Sequence, residues 1–208
     1  MNFKNMTQLI TGLFLYALGL VLTVNANLGV TPWNTFHMGL SKQTGLSLGN
    51  AIIITGLVII VINILAKQSV GIGTILNMWL IGSFVDIQMS SGLVPQAQSF
   101  LGGLVLIFMG MFAIAIASWL YIGAGLGAGP RDGFMVAVMK WTGKPVGIVR
   151  ASIEISVLIV GILLGGKLGI GTPIIALLLG PICQWVFGLL KFDVKNIDHQ
   201  YLSLKKSV

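Results

Sequence analysis

Six apolar stretches, centred near residues 16, 57, 80, 111, 156 and 180, each supply the roughly 20 residues with which a helix crosses a hydrocarbon core. A backbone in lipid has no water to satisfy its N–H and C=O groups, so such segments close their own hydrogen bonds as helices. Composition agrees, because a chain with 56% hydrophobic and 8% charged residues cannot build the charged surface of a soluble domain. The sequence therefore predicts an all-α, polytopic transmembrane helical bundle, a single membrane domain over 1–208. The first stretch, with Lys4 before it and Val24-Asn25-Ala26 after it, has the outline of a signal peptide. A matching segment recurs near residue 111, where no signal peptidase site belongs, so both are read as spans.

That match is part of a repeat. Placing Pro32 on Pro130 (130 − 32 = 98) aligns residues 12–87 with 110–185 without a gap. Ala26, Leu28, Gly29 and Pro32 meet Ala124, Leu126, Gly127 and Pro130; Lys42, Thr44, Gly45 and Gly49 meet Lys140, Thr142, Gly143 and Gly147. The block Gly71-Ile72-Gly73-Thr74 meets Gly169-Ile170-Gly171-Thr172. Repeat one covers about 7–90 and repeat two about 100–192, followed by a tail at 193–208. Three spans per copy is an odd number, so the second copy is expected to lie upside down relative to the first.

Positive charge gives the orientation. Of the 12 Lys and Arg residues, ten fall on one side when the N-terminus is inside: Lys4, Lys67, Arg131, Lys140, Lys144, Arg150, Lys191, Lys195, Lys205 and Lys206. Only Lys42 and Lys167 fall outside. Both termini are accordingly expected in the cytoplasm. The formal net charge of +7 is spent on topology, with no patch arranged for nucleic acid.

The paired segments Leu28 to Pro32 and Leu126 to Pro130, with the two Gly-Ile-Gly-Thr blocks, resemble the bacterial YczE/YyaS/YitT membrane proteins over nearly the whole chain. The resemblance implies a multi-pass protein of the bacterial plasma membrane. In that pattern an acidic residue often stands two places after the proline, as Asp132 does, whereas the first copy has Asn34.

In each copy a Gly-rich stretch leads into Thr31-Pro32 or Gly129-Pro130, an N-cap position followed by proline at the first helical position. Gly45 and Gly143 mark the ends of these helices, giving roughly 12 residues and about 18 Å, too short to cross a core of about 30 Å. Each helix must lie in the interface or dip in and return. Trp33, Phe36, His37 and Leu40 against Asn34, Ser41 and Lys42 suit an interfacial helix. A re-entrant half-helix would instead aim its N-terminus at a polar or anionic solute, which brings forward Gly29, Pro32, Asn34, Gly127, Pro130, Arg131 and Asp132. The Gly-Ile-Gly-Thr blocks open the third and sixth spans, so Gly71, Gly73, Thr74, Gly169, Gly171 and Thr172, with Asn77 in the third span, are further pathway candidates; close helix packing is the alternative for any one glycine.

Charges inside apolar segments cost about 2.5–3.5 kcal/mol each at mid-membrane on insertion scales. Arg150 and Glu154 are four residues apart in the fifth span, near enough to pair on one helical face. Arg131 and Asp132 are read as lying near the inner interface and Asp86 near the outer one.

Two functions follow: a small-solute permease or ion-coupled transporter, with Glu154 as the proton-exchanging group, or a non-transporting accessory or regulatory protein. An enzyme is not expected, since no His-Glu-x-x-His, Gly-x-Ser-x-Gly or phosphate-binding loop occurs and no catalytic residue is assigned. No cofactor or metal is expected either, with the single Cys183 and two distant histidines, His37 and His199. The partners implied are the lipid bilayer, an unknown small polar solute and, because six short spans make a thin bundle, a second copy of the chain.

Overall fold

Long apolar runs fold here as helices, one of them with Pro181 inside it, and the polar, Gly-rich joints between them fold as caps and turns. A computed structural model describes residues 3–193, 197, 200 and 201, so most of the predicted tail, with Lys195, His199, Lys205 and Lys206, lies outside the described residues. Eight helices follow in order: α1 (Phe3–Asn25), α2 (Pro32–Thr44), α3 (Leu48–Leu65), α4 (Ile72–Ser90), α5 (Phe100–Gly123), α6 (Pro130–Thr142), α7 (Val146–Leu163) and α8 (Gly171–Leu189). Six of them, all but α2 and α6, have the length and hydropathy of membrane spans. Among the described residues all regular structure is helical.

The short helices begin and end where their capping residues dictate. Thr31 accepts a hydrogen bond from the Asn34 backbone N–H at 3.3 Å, and proline opens both helices. Gly45 (φ 72°) and Gly143 (φ 66°) close them in the left-handed conformation, where a Cβ would be strained. Both helices run 13 residues, α3 and α7 both run 18, and α4 and α8 both run 19.

The core forms where α1 lies along α5 and against α4. Leu9, Leu13, Ala17 and Val21, spaced one helical turn apart on α1, are fully buried and meet Ile114, Ile81 and Val85. Where the two central helices cross, a Cβ on Gly19 would stand 2.8 Å from the Gly110 carbonyl oxygen, and one on Gly110 would stand 2.8 Å from that of Gly19. Only glycine lets the backbones come this close. The outer surface is the reverse of a soluble protein: Leu57, Val58 and Val61 of α3, Phe108 and Met109 of α5, and Ile155 and Ile159 of α7 are exposed. Such a belt matches lipid chains rather than water.

The two short helices differ in burial, α6 burying only Pro130 and Ala137 and α2 six of its residues. Helix α2 packs against α7 and α3, and α6 against α3 and α7. In α2 the polar Asn34, 1% exposed, and His37, 0% exposed, are buried together with Trp33. Asn34 therefore departs from the division expected of an interfacial helix, whose polar face should meet water. The reason is steric. Gly39 of α2 meets Gly161 of α7 closely, and Thr35 meets Gly166, so α2 is drawn into the bundle.

Candidate functional site

One pair of reciprocal hydrogen bonds joins the halves of the chain. The Gly73 N–H donates to the Leu126 carbonyl at 2.7 Å, and the Gly171 N–H donates to the Leu28 carbonyl at 2.6 Å. The Thr74 hydroxyl donates to the Ala128 carbonyl at 2.7 Å and accepts from the Gly71 N–H at 3.1 Å. Gly29 (φ 116°) and Gly127 (φ 120°) turn the chain beside these blocks, and a Cβ on either would press on Thr172 or Thr74 at 2.7 or 2.9 Å. Gly71 and Gly169 are equally confined, the first by Leu126 and Gly127, the second by Leu28 and Gly29. Packing thus accounts for Gly29, Gly71, Gly73, Gly127, Gly169 and Gly171. The Thr172 hydroxyl is buried without a hydrogen-bond partner among the described residues.

These contacts bring the first turns of α2 and α6 toward each other. The Arg131 guanidinium lies 4.4 Å above the Trp33 ring, a cation–π contact, and one of its terminal nitrogens stands 3.4 Å from Nε2 of His37. Arginine only donates, so Nε2 accepts, and the neutral imidazole carries its proton on Nδ1. That Nδ1 has no hydrogen-bond partner among the described residues. Neither has the Asn34 side-chain amide at either end. Trp33 and Phe36 flank the imidazole at ring distances of 6.2 and 5.9 Å. Arg131 thus turns onto α2.

Around it stand Tyr16 of α1, Tyr121 of α5, Asp132 of α6 and Glu154 of α7, all close enough to act on Arg131 electrostatically. The two tyrosine rings meet edge to face at 6.0 Å. Asp132 and Asn77 flank Gly129: a Cβ there would lie 3.3 Å from Asp132 Oδ2 and 3.7 Å from Asn77 Oδ1. Pro130 is held by Asn63 of α3, whose amide donates to the Pro130 carbonyl at 2.8 Å.

Glu154 and Arg150 share a face of α7, and the positive charges of Arg131 and Arg150 both act on Glu154. Arg150 is exposed. Asp86, read from the sequence as lying near the outer interface, ties α4 to α3: one carboxylate oxygen accepts from the Gly49 N–H at 2.8 Å and the other from the Ser47 hydroxyl. A shallow depression of about 840 Å³ beside it is lined by Lys42, Ser41, Asn50 and Ser90.

Tyr16, Tyr121 and Asn63 were not singled out from the sequence, and Trp33 and His37 entered only as one face of a helix. The repeat held one usable signal, since Trp33 and Arg131 are equivalent positions (131 − 33 = 98) and the structure brings them into contact.

Residues 3–187, nearly the whole span of the helices, match the model of a family of unknown function, DUF6198. The chain belongs to the DUF6198 family. Among its relatives, the uncharacterized membrane protein YczE of Bacillus subtilis is 35% identical over 176 residues, which cover 84% of this chain and 81% of YczE. An uncharacterized protein of Haemophilus influenzae is 29% identical, covering 91% of this chain and 86% of its own. The uncharacterized protein YyaS of Bacillus subtilis is 23% identical, covering 85% and 88%. No solved structure matches. With six apolar helices and a membrane protein as relative, this DUF6198 chain is a multi-pass membrane protein.

Proposed function

We propose that the protein is a small-solute permease or ion-coupled transporter built from two inverted copies of a four-helix unit, one of them α1–α4 and the other α5–α8. The matching helix lengths, the matching caps and the reciprocal Gly73–Leu126 and Gly171–Leu28 hydrogen bonds all support the repeat. Three spans per copy then turn the second unit over, with the axis relating them in the plane of the membrane. Equivalent residues meet only near such an axis. The contact between Trp33 and Arg131 therefore argues for a site at mid-depth, with α2 and α6 as re-entrant half-helices aimed at it.

One observation carries the transport reading: two equivalent helix pairs are unequal. Helices α3 and α4 form a close seam, with Gly49 and Gly82 against each other and Asp86 bonded to Ser47 and Gly49. Helices α7 and α8 have no comparable seam, and a Cβ on Gly147 or Gly180, the equivalents of Gly49 and Gly82, would meet nothing within 4 Å. With both termini in the cytoplasm, the sealed pair lies on the outer side and the parted pair on the inner side. A duplicated bundle closed at one end and open at the other is what alternating access requires, and exchange of the two arrangements would carry a solute across. A scaffold protein has no need of the inequality.

The test is purified protein in liposomes, assayed for solute-dependent proton or sodium flux across a panel of polar metabolites. Saturable flux supports the proposal. Silence across the panel, with correctly inserted protein, moves the weight to an accessory role.

A further inference from the structure

We infer that Thr74 and Thr172 form a pair of alternating latches, of which only the first is closed in this structure, and that closing the second brings α8 onto α7 while releasing α4. The inference deepens the transport reading, on which its purpose rests, by naming the hydroxyls that change partners when the bundle turns from one side to the other. The two threonines are equivalent (172 − 74 = 98) and sit alike. Each stands in the first turn of its helix, 4% and 3% exposed. Each lies beside a positive-φ glycine in a loop from the other half of the chain, Thr74 beside Gly127 and Thr172 beside Gly29. The N–H just before each threonine, on Gly73 or Gly171, donates to that same loop.

Their hydroxyls differ. That of Thr74 accepts from the Gly71 N–H and donates to the Ala128 carbonyl, tying the start of α4 to the loop before α6. The equivalent partners for Thr172 are the Gly169 N–H and the Val30 carbonyl (71 + 98 = 169; 128 − 98 = 30), and it takes neither. A buried hydroxyl without a partner is costly and rare, and a partner met in a second arrangement accounts for it. The start of α8 is also held by fewer bonds. The Gly71 carbonyl accepts from the N–H groups of Thr74 and Ile75 at 3.1 and 3.4 Å, but Pro173 stands where Ile75 does and has no N–H to give.

The latches match the seams. Helix α4, whose latch is closed, packs against α3 and α6, whereas α8, whose latch is open, packs against α5 and has no comparable seam with α7. Hydroxyl and helix pair thus differ between the copies in the same sense. Exchanging the two arrangements moves two hydrogen bonds from Thr74 to Thr172 and conserves their number. That keeps the two states close in free energy, as any exchange between them requires.

The experiment uses valine, which keeps the shape of threonine without its hydroxyl. T74V strands the Ala128 carbonyl and the Gly71 N–H in this arrangement only; T172V strands nothing here and removes the latch of the other. The reporter is the full chain in detergent, in a Cys183→Ser background, with P145C and Q184C on α7 and α8, the equivalents of the hydrogen-bonded Ser47 and Asp86 (47 + 98 = 145; 86 + 98 = 184). The rate at which a short bis-thiol reagent joins them reads the fraction of molecules with α7 and α8 closed. T74V should raise that rate about tenfold, the worth of one or two hydrogen bonds. T172V should lower it and, combined with T74V, cancel the rise, while T74S and T172S, which keep a hydroxyl, should behave as the parent. T172V should also unfold at the parental Tm, whereas T74V should unfold below it. An unchanged rate in T74V, a rise that T172V does not cancel, or a fall in Tm in T172V as large as that in T74V would overturn the inference. Should T74V not fold, T172V alone decides, and a parental rate in it would overturn the inference too. Latch-dependent joining without flux in liposomes would leave the latches standing and remove the transport reading; saturable flux that T172V leaves at the parental rate would do the reverse.

Discussion

Residue by residue, the chemistry gathers on Arg131, and the behaviour of its neighbours can be ranked by what each would lose. Arg150 is exposed on α7, so R150Q should leave the folded yield in the membrane unchanged, measured by size-exclusion of the detergent-solubilised protein. Were Arg150 and Glu154 a buried pair, breaking it would strand a charge at a cost of about 3–5 kcal/mol and the yield would collapse. E154Q, nearly isosteric and uncharged, should also fold, yet lose any proton-coupled flux; full coupling in that variant would remove Glu154 from the mechanism. Asn63 is a third case. N63A removes the donor to the Pro130 carbonyl and should lower stability by about 1–3 kcal/mol, read as a lower Tm, because it leaves a buried carbonyl unsatisfied. Glu154 and Arg150 were legible as costly charges in an apolar span, but Arg131 was read only as lying near an interface. Spacing along one helix proposes only local pairs, whereas Trp33 and His37 reach Arg131 from a helix far away in sequence. Asn63, an ordinary polar residue in an apolar run, gave no signal until α6 was packed against it.

At the scale of helices the sequence was most informative where a backbone rule applies. Proline at the first position and glycine at the left-handed cap delimited α2 and α6, and the apolar runs delimited the six spans, since these depend on local sterics and on the bilayer alone. The depth of α2 was not so readable: amphipathic spacing suited an interfacial helix, and only the close approach of Gly39 to Gly161 turns Asn34 and His37 inward. Equivalent glycines in the two copies make the sharpest contrast. A Cβ on Gly82 would lie 2.5 Å from the Gly49 carbonyl oxygen, so G82A should overpack the α3–α4 seam and cost about 1–3 kcal/mol in thermal unfolding. G180A meets nothing within 4 Å and should unfold as the wild type does. If α7 and α8 must close on each other in turn, G180A should nevertheless slow flux, a combination of normal stability and impaired turnover that a static bundle would not produce.

For the molecule as a whole, inversion of the two copies and exchange between their seams make a single prediction about sidedness and motion. Lys42 and Lys140 occupy equivalent positions (140 − 42 = 98), so inversion puts them on opposite faces of the membrane. In a Cys183→Ser background, a cysteine at Lys42 should label from outside with an impermeant thiol reagent, and one at Lys140 only after the membrane is opened. Labelling of both from the same side would dismiss the inverted repeat and, with it, the mid-depth placement of Arg131. The motion is tested at the seam that is closed. Ser47 and Asp86 are hydrogen-bonded across α3 and α4, so cysteines at both positions are near enough to be joined by oxidation or by a short bis-thiol reagent. Joining them fixes the outer side shut while leaving the central site and the α7–α8 opening untouched. Flux should then fall to background and return on reduction of the disulfide. Undiminished flux through the joined protein would mean that α3 and α4 need never separate, and alternating access between these two seams would have to be given up.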